Sequence, residues 1–374
     1  MCMLLRIDFT ASNKLELRMQ ASSTHTQLAH SLINTLSQNE EYNLYSYHRA
    51  QIRLSCVLQG MLDHVYDCGG DEGLSYVSSS ITNCSTQSRD SDDANDGSRS
   101  IGNTETLEKL KELALLWLWR FLFMLKISPE SLHAPYSYYD DSWEARRPKG
   151  PKELEIAKRE RNQCKITQAE AIWMPLGICR ILSWPLEFHL DSEAREASVK
   201  TFDIIRKFSA LPCNTLDELA KLVESPSNGF LIRVTLRILF YQHNWCLKKV
   251  TDPNRYNILV FQNPGPNDVD DDDSEDEDED GNPLRTYPDP GTTLSWEEGA
   301  SESPLPDPKL LSVHCAVTQI LQGSGVGKFF REVMDNFNAS IGNEPENPFR
   351  SWEDLDKHVQ LDWLKYEWWC VRDE

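Results

Sequence analysis

The chain has 374 residues, and 40% of them are hydrophobic, which is enough apolar surface to bury at least one sizeable core. A formal net charge of −21 disfavours a general nucleic-acid-binding protein, because such proteins need a basic surface that displaces counterions from phosphates. Ten of the acidic residues lie within residues 270–280, and the remaining charge of −11 leaves room for a modest basic patch around residues 146–161.

The first part of the chain predicts a helical region followed by a flexible linker. Residues 1–82 form the helical region. Its predicted elements are a hairpin over 5–19 and helices over 26–36, 45–66 and 73–81. Residues 83–105 are rich in Ser, Asp, Asn and Gly and predict the linker. Residues 106–150 begin with a predicted buried helix over 106–127 and continue as a connector rich in Pro, Tyr and Arg.

The second part predicts a mixed core, an acidic loop and a helical end. The core spans residues 151–262, the acidic and disordered loop spans 263–303, and the helical, Trp-rich region spans 304–374. The elements predicted here are helices over 152–161, 198–208, 216–223, 233–242 and 308–321, a strand over 164–167, and a hairpin of 246–250 with 256–261. The pattern as a whole predicts an α+β fold that is mostly helical.

Cysteine spacing and the lengths of the apolar runs indicate an intracellular protein. None of the ten cysteines forms a Cys-x-x-Cys pair, so a zinc ribbon is disfavoured and free thiols are expected. The apolar run at the N-terminus is too short for a signal peptide. Residues 113–127 are apolar, but they are shorter than the ~20 residues that a bilayer requires. We therefore expect a cytoplasmic or nuclear protein without membrane association.

Two segments in the middle of the chain match the two halves of one motif. The first is Arg-Glu-Arg-Asn-Gln-Cys-Lys-Ile-Thr at 159–167, followed by Ala-Ile-Trp-Met-Pro at 171–175. The second is Ser-Pro-Ser-Asn-Gly-Phe at 225–230, followed by Leu-Arg-Ile-Leu-Phe at 236–240. Together they resemble the HNH nuclease domain of a group of fungal proteins, in which an Ala-His-Ile-x-Pro strand precedes a Ser-Pro-x-Asn turn and a helix that carries a second His.

The resemblance extends to three further segments, which follow the order of the family. They are Tyr-Asp-Cys-Gly-Gly-Asp-Glu-Gly at 66–73, Pro-Asn-Arg-Tyr at 253–256, and Pro-Asp-Pro-Lys-Leu-Leu-Ser-Val-His at 306–314. The resemblance implies a small ββα-metal core within residues 151–262, with the remaining helices arranged around it.

Two of the three chemical residues of the HNH motif are replaced in this chain. The family uses one His as general base for a water molecule, an Asn that positions it, and a second His that helps to bind a divalent metal. Asn228 is retained, whereas Ile172 and Arg237 stand at the two His positions. Ile172 cannot accept a proton, and Arg237 is a permanent cation that repels a metal but can pair with a phosphate oxygen. The resemblance therefore implies a catalytically impaired scaffold without a cofactor.

Two other functions remain open from the sequence. A residual metal-dependent endonuclease would need a site rebuilt from Glu170, His189 or His243, and only then would it take a divalent metal; otherwise these residues are solvated or satisfied within the fold. A protein-interaction module would use the acidic loop and the Trp-rich C-terminus. The charge balance favours a protein partner over nucleic acid.

Overall fold

The structure is a computed structural model, and it describes residues 24–47, 49–86, 104–126, 150–168, 176–182, 192–261, 288–297 and 302–341. Helices predominate within these ranges and the strands form three small antiparallel sheets, which confirms the predicted α+β class. No helix in these ranges combines the length and the apolar character needed to cross a bilayer. The predicted hairpin over 5–19, the acidic run 270–280 and the Trp-rich end lie outside the described residues.

The first described segment is helical apart from one β-hairpin. Its elements are α1 (residues 24–37), α2 (Glu40–Asn43), β1 (Leu44–Tyr47), β2 (Ala50–Arg53) and α3 (Leu54–Thr86). The predicted helix over 26–36 is confirmed, but the one over 45–66 is wrong at its start, because β1 and β2 pair before α3 begins. Tyr45 and Tyr47 pack against Trp119 with ring centroids 6.5 and 6.1 Å away, and local periodicity cannot reveal this distant contact.

A buried helix follows, in agreement with the prediction for residues 106–127. Helix α4 (Thr104–Trp117) continues as a π-helix over Leu118–Phe123 and ends with a final α-helical turn, Met124–Lys126. Every residue of the π-helix is buried. The Trp119 ring lies at its centre, with centroid distances of 5.0, 5.9 and 5.9 Å to Phe123, Phe329 and Phe330. This helix therefore belongs to a core that also includes the last described helix.

The middle of the chain contains a two-stranded sheet with a helix directly after it. Its elements are α5 (Pro151–Arg159), β3 (Leu176–Arg180), α6 (Ser192–Ser209), α7 (Leu216–Glu224), a 3-10 turn (Pro226–Asn228), β4 (Gly229–Arg233) and α8 (Val234–Tyr241). β3 and β4 pair antiparallel with Ile178 opposite Leu231, and α8 continues from β4 without a break. Helices α6 and α7 lie in the long connection between the two strands, where helices were predicted.

Residues 164–167 form a turn rather than the predicted strand. Arg161, Asn162 and Gln168 have positive φ angles of 57°, 56° and 59°, and these reverse the chain where a strand would continue. The Lys165 N–H donates to the carbonyl oxygen of Leu231 at 2.9 Å. The turn over residues 161–168 is therefore attached to the edge of β4 that faces away from β3.

The last described segments hold a three-stranded sheet and two helices. They are β5 (Trp245–Lys249), β6 (Arg255–Val260), β7 (Thr293–Ser295), α9 (Pro308–Gly323) and α10 (Val326–Ile341). The hairpin predicted from 246–250 and 256–261 and the helix predicted over 308–321 are confirmed. Strand β7 corrects the prediction of a disordered loop over 263–303. Leu294 and Trp296 are buried there, and three residues are too few for the sequence to display a period.

The motif at residues 66–73 allows a close helix crossing. Helix α3 is broken at Gly70, whose φ of 59° and ψ of −147° are not helical, so one helix ends and another begins there, as the sequence predicted. A Cβ atom at Gly69 or Gly73 would stand 2.1 or 2.4 Å from the carbonyl oxygen of Phe208, near the end of α6. Lys309 of α9 joins the same crossing, because its Nζ donates to the carbonyl oxygens of Cys68 at 2.7 Å and Ser209 at 3.1 Å.

Candidate functional site

The two halves of the sequence motif meet around the side chain of Arg159. Its guanidinium donates to the carbonyl oxygens of Gly229 at 2.6 Å and Pro226 at 3.2 Å, and also to that of Pro304. It forms a buried ion pair with Glu160 at 2.8 Å. Burial lowers the pKa of Arg159, and the Glu160 carboxylate opposes this effect. These contacts compensate for the buried charge and hold α5 against the Ser-Pro turn.

Asn228 has no exposed surface, and its side chain is fully used by the backbone around it. Its amide nitrogen donates to the carbonyl oxygens of Leu182 at 2.9 Å and Val223 at 2.8 Å. Its amide oxygen accepts from the Leu182 N–H at 2.8 Å. The residue therefore ties the chain after β3 to the end of α7, and it has neither a donor nor an exposed oxygen left for a substrate.

Arg237 lies on α8 against the outer edge of β3. Its Nη1 donates to the carbonyl oxygen of Ile178 at 3.4 Å and stands 2.8 Å from the place a Cβ of Gly177 would occupy. One helical turn later, the Tyr241 hydroxyl accepts a hydrogen bond from the Arg180 N–H at 2.9 Å. Helix α8 therefore supplies partners to the backbone edge of β3 that β4 does not pair.

The donor set around Asn228 and Arg237 does not fit a divalent metal. Arg237 brings a positive charge, and the amide oxygen of Asn228 is already bonded and buried. In the part of the chain that the structure describes, no group of three or more His, Cys, Asp or Glu side chains is placed to hold a metal ion. Ile172, Glu170 and His189 lie outside that part.

His243 lies in the core rather than beside Asn228. Its Nε2 donates to the carbonyl oxygen of Leu125 at 3.4 Å, and its Nδ1 accepts from the Thr318 hydroxyl at 2.8 Å. Burial lowers its pKa well below the ordinary value, with further contributions from His314 and Lys126. The ring is therefore neutral at pH 7, and both of its nitrogens have partners.

His314, which the sequence assigned only to a family segment, is the partner of His243 in this core. The two rings stack with their centroids 4.8 Å apart, and the His314 ring also stacks on Phe240 at 3.7 Å. Burial lowers the pKa of His314 to about 3. Among the described residues its Nδ1 has no hydrogen-bond partner, and His314 lines a cavity of about 20 Å³, which is large enough for one water molecule. No sequence signal indicated this pair, because its members are 71 residues apart.

A polar cleft of about 340 Å³ separates the turn over residues 161–168 from β7. The Lys165 Nζ lies 5.2 Å from the ring centroid of Trp296, and the indole N–H of Trp296 donates to Glu160 at 3.1 Å. Burial lowers the pKa of Lys165, and the neighbouring Glu160 opposes this effect. We call this site the β7 cleft. The sequence could not reveal it, because its two walls are about 130 residues apart.

No protein-family model, no curated protein and no solved structure matches the chain.

Proposed function

We propose that the chain is a fungal HNH nuclease-family protein whose catalytic site is degenerate and whose fold serves as a binding or regulatory scaffold. The order β3, β4, α8 supports this proposal, since an HNH core consists of two antiparallel strands and a helix. Asn228 lies immediately before β4, and Arg237 on α8 faces β3. Both motif positions therefore belong to one compact unit.

The observation that carries the proposal is the structural use of Asn228 and Arg237. The Asn228 amide nitrogen donates both of its hydrogens to backbone carbonyls, and the Arg237 guanidinium lies on the edge of β3. Hydrolysis of a phosphodiester needs a proton acceptor near neutral pH and a cation that neutralises phosphate charge. Ile172 offers no proton acceptor, and Arg237 places a cation where the motif has its metal-binding His. Loss of the base alone removes about 10²–10⁴-fold in rate.

A plasmid-nicking assay tests this proposal directly. The purified chain is incubated with supercoiled DNA and magnesium, manganese, nickel or zinc at neutral pH, and we expect no metal-dependent nicking. Nicking that survives repurification, and that disappears in Glu170→Gln or His189→Asn, would instead support a rebuilt endonuclease site. Asn228→Ala is a poor probe of catalysis, because it removes three buried hydrogen bonds.

A reconstruction experiment tests whether the two replaced positions belong to one site. We expect the double variant Ile172→His with Arg237→His to gain metal-dependent nicking, whereas each single variant stays inactive, because a base and a metal ligand are both required. Arg237→Lys serves as the matched control, since it keeps the cation and restores no ligand. Nicking by either single variant would argue against the assigned roles.

A further inference from the structure

In the described part of the chain, strand β7 pairs along one edge only, with β6, and its other edge is open. The Ile258 N–H donates to the Thr292 carbonyl at 2.9 Å, and the Trp296 N–H donates to the Asn254 carbonyl at 3.0 Å, so residues 292, 294 and 296 direct their backbone groups toward β6. Thr293 and Ser295 then direct theirs away from the sheet. Both residues are exposed, and no backbone group of the described residues bonds to this outer side.

The β7 cleft lies along this open edge. Its opposite wall is the turn over residues 161–168, which is itself bonded through Lys165 to the edge of β4. The cleft therefore lies between β7 and the turn that is bonded to the edge of β4, and its volume of about 340 Å³ leaves space between them. An extended segment placed there can exchange backbone hydrogen bonds with Thr293 and Ser295.

The charges around the cleft favour an acidic occupant. Glu160 is neutralised by its ion pair with Arg159. Arg161 and Lys165 have no carboxylate within ion-pair distance in the described part of the chain, and Lys165 is partly withdrawn from water. Glu297 is the remaining acidic side chain of the lining. The described lining holds three cationic side chains against two carboxylates, which leaves a formal charge of +1.

We infer that the β7 cleft binds an extended acidic segment of a partner protein by strand addition. The backbone of that segment pairs with Thr293 and Ser295, and its carboxylates pair with Lys165 and Arg161. The inference rests on the proposed function only in that a scaffold needs a partner surface. The peptide assay below uses neither DNA nor metal, so its failure and the failure of the nicking assay are separate results.

Binding is measured by fluorescence anisotropy with the full chain and a labelled, end-blocked peptide, Thr-Glu-Thr-Glu-Thr-Glu-Thr. We expect saturable binding that Lys165→Gln weakens about tenfold, because a charge-assisted hydrogen bond is lost. Ser295→Pro should weaken it comparably, since proline removes an outward N–H without touching the bonds to β6. Lys158→Gln is the matched control, because Lys158 is exposed and does not line the cleft, and it should bind within about twofold of the unmodified chain.

Four results would overturn the inference. The first is the absence of saturable binding up to about 1 mM peptide. The second is equal binding by Lys165→Gln and the unmodified chain, or by a peptide with Gln in place of Glu. The third is displacement of the labelled peptide by a single-stranded oligonucleotide at a lower concentration than the unlabelled peptide requires, which would assign the cleft to nucleic acid. The fourth is tighter binding after deletion of residues 270–280, which would assign it to the chain's own acidic segment.

Discussion

Replacing Asn228 with alanine removes three side-chain hydrogen bonds, two to Leu182 after β3 and one to Val223 at the end of α7. The N–H and carbonyl of Leu182 and the carbonyl of Val223 would lose this partner. Leaving one buried polar group unsatisfied costs about 1–3 kcal/mol, so for three such groups we expect the free energy of unfolding to fall by roughly 3–9 kcal/mol. This is a large fraction of the roughly 5–15 kcal/mol that stabilises an ordinary domain.

The change in unfolding free energy can be measured by urea denaturation followed by circular dichroism. Asn214→Ala is the matched control, because Asn214 is exposed and lies only a few residues before α7. We expect that control to alter the free energy of unfolding by less than about 0.5 kcal/mol. A loss below about 1 kcal/mol in Asn228→Ala would contradict the assignment of Asn228 to backbone support.

Three further predictions concern the helix crossing and the histidine pair. Gly73→Ala should lower the free energy of unfolding by about 3 kcal/mol in urea, because its Cβ would stand 2.4 Å from the Phe208 carbonyl oxygen, whereas Gly323→Ala, with nothing within 4 Å of its Cβ position, should have little effect. Lys309→Met should cost about 2–4 kcal/mol by the same measurement, since two charge-assisted hydrogen bonds are lost, and the exposed Lys328→Met should not. The folded state lowers the pKa of His314 to about 3, so only the unfolded state binds this proton between pH 6.5 and 3. The shift therefore has no effect on stability above pH 6.5, and it lowers the free energy of unfolding by about 1.4 kcal/mol per pH unit between 6.5 and 3. Melting temperatures from pH 7 to 5 should therefore decrease less steeply in His314→Gln, and an unchanged slope would contradict the burial argument.

The helices that carry strong local signals could be predicted from the sequence. Helix α9 begins at Pro308 with Asp307 as its N-cap, and the Asp307 carboxylate accepts from the backbone N–H of Lys309 at 2.7 Å. Such signals lie within a few residues of each other, so periodicity and capping reveal them. The pairing of β5 with β6 is similar, because only five residues separate the strands.

The remaining features depend on contacts between distant parts of the chain. Strand β1 is stabilised by tyrosines that pack on Trp119, and β7 is stabilised by pairing with β6. The candidate site likewise has one part that the sequence predicted and another that depends on distant contacts. The sequence identified Asn228 and Arg237 as motif positions, but their bonds to Leu182 and Ile178 follow from the folded arrangement of β3, which no local pattern specifies.

The position of Trp119 determines when this protein can complete its core during synthesis. Its ring contacts Tyr45, which is made early, and Phe329, which is made more than 200 residues later. A nascent chain that ends before α10 therefore leaves one face of Trp119 without its aromatic partners and exposed to association with other chains. Folding has to wait for the C-terminal helices to leave the ribosome, so translation rate and chaperone capture during that interval should govern the yield of native protein.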